Sequence, residues 1–72
     1  MERKRYLELC QQFSIGNNVL VVYDGVAYRP KNLLISFDKN GKCKNSAILK
    51  DVNCNSERQV LLERVREYEK EI

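Results

Sequence analysis

The stretch Val19-Leu20-Val21-Val22-Tyr23-Asp24-Gly25-Val26-Ala27-Tyr28 decides the fold class. Two apolar runs rich in β-branched residues flank an Asp-Gly pair, and glycine accepts the positive φ that a two-residue type I′ turn requires. The segment therefore predicts a tight β-hairpin. Just downstream, Pro30 has no amide hydrogen to give a sheet ladder, so Tyr28 to Lys31 reads as a bulge, a bend or an edge. Leu33 to Phe37 makes a further strand, closed by Asp38-Lys39-Asn40-Gly41, a turn in which Asn40 or Gly41 takes the left-handed conformation. Lys42 to Val52 returns, with Ala47, Leu49 and Asp51 on one side and Ile48, Lys50 and Val52 on the other.

Upstream of the hairpin, Tyr6, Cys10 and Phe13 recur at helical spacing, and Leu7 and Leu9 widen the stripe, which predicts a helix over residues 2–13. Gly16-Asn17-Asn18 then disfavours helix and strand alike. Downstream, Asn53-Cys54-Asn55 has the composition of a turn, and two patterns compete beyond it. Ser56-Glu57-Arg58-Gln59 fits a capping box, and Leu61, Val65, Tyr68 and Ile72 run at helical spacing. Arg58, Val60 and Leu62 alternate as a strand would. The reading adopted is strand to about Leu62 and helix from Glu63 onward. The expected architecture is α+β in a single domain over residues 1–72: a helix over 2–13, a small curved antiparallel sheet of about four strands over 19–62, and a C-terminal helix over 63–72.

At Val19 to Tyr28, Ser36-Phe37-Asp38-Lys39-Asn40-Gly41, Ile48 to Val52 and Val60 to Val65, the chain resembles small bacteriophage or mobile-element proteins of SH3-like β-barrel type. The resemblance covers residues 19–65 and rests on hairpin turns and core hydrophobes. It implies a strongly bent sheet of short strands with a terminal helix against it. It brings no catalytic residue, and barrels of this kind commonly bind nucleic acid or peptides.

With 72 residues there is room for one core and no second domain, and a core this small supplies only a few kcal/mol unless the chain associates or is stapled. Self-association is thus a natural expectation. Cys10, Cys43 and Cys54 are an odd number at wide spacing, which fits neither a disulfide framework nor paired zinc ligands, and they read as reduced thiols. The charged opening Met1 to Arg5 and the short apolar run Val19 to Tyr23 predict neither a signal peptide nor a membrane span, hence a cytoplasmic protein. The sequence contains no histidine, so the commonest general base and zinc nitrogen ligand are missing and no Ser-His-Asp or Cys-His machine can be assembled within the chain. No cofactor, metal or small-molecule substrate is implied. Lysines flanking Cys43 would favour its thiolate, yet a plain strand residue is the simpler reading.

Net charge is +3, but it is unevenly spread. Arg29, Lys31, Lys39, Lys42, Lys44 and Lys50 meet only Asp38 in the middle of the chain, while acids outnumber bases beyond Asp51. Two candidate sites follow. A basic hairpin with aromatics, comprising Tyr28, Arg29, Lys31, Lys39, Lys42, Lys44 and Lys50 and bordered by Tyr23 and Phe37, suits phosphates and stacked bases. The same lysines also suit an edge that deters aggregation. The apolar stripe Leu61, Val65, Tyr68 and Ile72 suits a protein interface. The leading expectation is a small non-enzymatic interaction module of phage or mobile-element type, acting as a dimer, an adaptor or an inhibitor of a host complex. The alternative is nucleic-acid binding through the basic hairpin.

Overall fold

The computed structural model describes residues 1–68. Helix α1 spans Arg3–Ser14, and five strands follow: β1 (Val21–Tyr23), β2 (Val26–Phe37), β3 (Cys43–Asp51), β4 (Glu57–Leu61) and β5 (Arg66–Glu67). Tyr6 and Leu9 supply the buried stripe of α1, with Cys10 packed beside them, whereas Leu7 is exposed. Gly16 ends the helix at φ 97°, which a side chain would resist.

All strands join one antiparallel sheet in the order β4-β3-β2-β1-β5. At the first hairpin Asp24 and Gly25 both have positive φ, 51° and 76°, the geometry of a type I′ turn. At the second, the Asp38 carboxylate accepts from the Asn40 and Lys42 amides at 2.8 and 2.9 Å, and Gly41 takes the left-handed conformation. The β2–β3 register slips between Pro30 and Asn32, a bulge at Lys31. Pro30 is fully buried there.

The core lies between α1 and the sheet: Tyr6, Leu9, Val21, Tyr28, Ala47, Leu49, Val60, Leu62 and Val65. Tyr6 ties the two layers together, its hydroxyl donating to the Ile48 carbonyl at 2.9 Å.

The expected C-terminal helix over 63–72 is overturned. Leu62–Arg64 forms a single 3-10 turn, Val65 is extended, and Arg66–Glu67 is a strand paired with β1; Glu69 to Ile72 lie outside the described residues. A core this thin leaves Val65 only 1% exposed, and an extended backbone buries it while satisfying the open edge of β1. The sheet accordingly has five strands rather than about four. In Glu57–Leu61 the alternating pattern prevails over the capping box, because Val60 packs opposite Ala47 on the covered face.

Candidate interaction surface

The β2–β3 hairpin extends well beyond the part of the sheet that other elements flank. β1 pairs only with Val26 to Tyr28, so the rest of β2 has β3 alone for a neighbour among the described strands. The molecule is correspondingly elongated, 44 × 23 × 21 Å.

Residues opposite one another in antiparallel strands share a face. Leu33, Ala47 and Val60 make one row on the α1 side. Leu34, Ser46 and Leu61 make the matching row on the other side, with Ser46 buried and Leu34 and Leu61 44% and 39% exposed. Further out, Ile35 opposite Asn45 and Phe37 opposite Cys43 are 45% and 71% exposed. The arm therefore shows water large apolar side chains on both faces, a pattern that marks contact surfaces when the residues are contiguous. Leu34 and Ile35 were not singled out by sequence reasoning. The available hint was length: an apolar run of five residues before Asp24-Gly25 cannot flank a strand that runs on to Phe37.

The predicted interface stripe does not form. Leu61 is exposed on the outer sheet face, Val65 is core, and Tyr68 follows β5 at the surface, so the three belong to different surroundings. Ile72 lies outside the described residues.

The basic residues separate into two groups. Lys39 and Lys42 sit in the distal turn, with Lys44 exposed opposite Ser36. Arg29 and Lys50 face each other near the sheet's base, beside Glu57, which is opposite Lys50 and ion-paired with Lys31. Five residues of strand divide Lys44 from Lys50, and six steps of strand rise make about 20 Å. Arg29 is further occupied: its guanidinium donates to the Asn18 side-chain oxygen at 3.0 Å and lies 5.7 Å over the Phe13 ring. Tyr28 is buried, its hydroxyl accepting from Arg58 at 3.4 Å, so it offers no face to a base. Tyr23 is half-buried.

Elsewhere, Arg5 bridges Glu8 at 3.1 Å and Glu67 at 2.7 Å beside an open recess of about 710 Å³ lined by Met1, Val22, Val65 and Arg66. All three charged partners are about half exposed, and such pairs contribute little to stability. Burial holds the Tyr6 phenol and the Cys10 thiol above their ordinary values; Tyr6 sits in the core and Cys10 is partly buried against it. Among the described residues, no group of three or more His, Cys, Asp or Glu is placed to hold a metal ion, and no helix is long and apolar enough to cross a membrane. No family model, curated protein or solved structure matches the chain.

Proposed function

We propose that this protein is a small non-enzymatic interaction module that acts through protein–protein contacts made by the β2–β3 arm. The observation that carries the reading is the arm's exposed apolar set, Leu34, Ile35 and Phe37, with Leu61 of the adjoining β4 in the same row as Leu34; the other exposed large apolar residues, Leu7, Ile15, Val26, Val52 and Tyr68, lie away from this cluster on other parts of the chain. Water-exposed apolar side chains gathered on one projecting element are stabilised by a partner that covers them. A reducing, cytoplasmic setting belongs to the same reading, since Cys43 and Cys54 are exposed free thiols. A phage or mobile-element origin rests on the resemblance of the strand segments.

The test is a photo-reactive phenylalanine analogue at position 37, irradiated in cells, with the same probe at exposed Asn55 as control. The expected result is a discrete adduct from position 37 alone, either to the chain itself or to a protein whose purified form rebinds the arm. No protein adduct at position 37 overturns the reading.

Nucleic-acid binding is the second reading, and one arrangement favours it: the arm's tip carries the most exposed aromatic, Phe37, together with Lys39 and Lys42 in the turn and Lys44 on the other face. It ranks second because Arg29 and Lys31 are engaged elsewhere and Tyr28 is buried. Three tip phosphate contacts would make log affinity fall with log salt at a slope of about −2 to −3. Titration with labelled single-stranded and duplex DNA and RNA reads this, and no binding at about 10 µM in low salt ends it.

A further inference from the structure

We infer that the outer edge of β2, from Leu33 to Phe37, pairs antiparallel with the same edge of a second copy about a twofold axis at Ile35. The inference deepens the protein-contact reading above and depends on it.

The direction of the backbone groups along the arm follows from one bond. The Asp38 amide donates to the Lys42 carbonyl at 3.0 Å, so Asp38 points toward β3. Direction alternates along an antiparallel strand. Ser36, Leu34 and Asn32 therefore also face β3, whereas Phe37, Ile35 and Leu33 point outward. The Leu33 amide agrees: it donates to the Asn32 side-chain oxygen at 2.8 Å and not to β3. Among the described residues nothing receives the outward amides of Ile35 and Phe37. An unused ladder of this kind is a template for another strand.

The other two sheet edges are protected. β5 has two residues, both charged, and β4 presents Glu57, Arg58 and Gln59 along most of its length. Short or charged edges resist pairing with a second chain. The β2 edge has neither device over its five apolar and small residues, Leu33-Leu34-Ile35-Ser36-Phe37.

A second copy fits because the edge is self-complementary in one register. With Ile35 opposite Ile35, Leu33 and Phe37 come opposite each other twice, so every outward-pointing residue meets an apolar one. Moving the axis by one residue either way sets Phe37 against Lys31 or Leu33 against Lys39. In the Ile35-centred register Lys39 does approach the second copy's Lys31, but Glu57 already holds that lysine in an ion pair. The result is an isologous contact that closes on itself and joins two sheets into one.

Sedimentation of the full chain from about 1 to about 500 µM reads the outcome, with dimer expected within that range. Salt distinguishes it from a phosphate contact: between about 0.05 and about 0.5 M the dimer should hold or strengthen, since both copies are basic. Ile35→Pro removes an amide the β2–β3 ladder does not use, so the fold should persist while the dissociation constant rises about tenfold to a hundredfold. Ile35→Lys leaves the backbone intact and sets two ammonium groups across the axis; it carries the decision if the proline variant does not fold. A chain that stays monomeric throughout, or a dimer indifferent to both variants, overturns the inference. Photo-capture of a different protein at position 37 by a monomeric chain leaves the protein-contact reading standing and ends this one.

Discussion

The β2–β3 hairpin has two halves built from the same kind of residue and living in different solvents. At its base, Pro30, Ala47 and Leu49 are fully buried, with α1 packed against this face of the sheet. At its tip, Leu34, Ile35 and Phe37 are equally apolar and stand in water. Alternation of apolar side chains makes both halves strands, but only the presence of neighbours decides which one becomes core. The base holds the molecule together, and the tip is what the molecule presents.

Three substitutions test that division. Leu49→Ala should have the largest effect, about 2 to 5 kcal/mol, comparable to all the stability a core this small provides, so the variant should be largely unfolded by circular dichroism without denaturant. A well-folded Leu49→Ala protein would erase the distinction between base and tip.

Tyr6→Phe comes next. It strips the Ile48 carbonyl of its buried donor and should cost about 1 to 3 kcal/mol in urea unfolding. The same residue predicts an alkaline limit. Burial first, then the Cys10 thiol nearby, raises the Tyr6 phenol above its ordinary 10.0, so the folded state holds this proton more tightly than the unfolded chain. The associated stability is complete below pH 10 and is lost as pH rises beyond it; Cys10, raised from 9.0 by burial, acts in the same direction. Unfolding midpoints followed from about pH 8 to about pH 11 should fall more steeply for the native sequence than for Tyr6→Phe.

Phe37→Ser should have the smallest effect, less than about 0.5 kcal/mol in dilute solution, because its ring contacts water rather than core. A larger loss there would mean the arm is part of the folding unit and not a projection from it.

Much of this fold could be read from the chain because turns are local. Asp24-Gly25 and Asp38 to Gly41 specify their own backbone angles, and Arg58, Val60 and Leu62 carry the two-residue period of β4 into the turn that follows. The C-terminal segment misled for the opposite reason. Leu61, Val65 and Tyr68 match helical spacing, but a strand of two residues such as β5 is too short to show any period, and its pairing with β1 is a long-range event. The candidate sites suffered likewise: nearness along the chain does not survive an antiparallel turn, and the basic run divided into a tip group and a base group. Which strand edge would be left open depended on where β1 stops, and the only trace of that in the chain is the length of the apolar run before Asp24-Gly25.

The bulge at Lys31 has a consequence for how the hairpin tolerates change. One surplus residue there shifts the phase of the strand, exchanging the odd and even positions that look toward β3. Removing it would set Pro30 and Asn32 side by side opposite Leu49 and Ile48, which are themselves adjacent, so Asn32, Leu34 and Ser36 would still look toward β3 and the arm would keep its partners and faces. The strand thus absorbs one residue locally: loss of Lys31 would leave the arm in phase, whereas loss of a residue from the regular ladder beyond it would send every later side chain to the opposite surface.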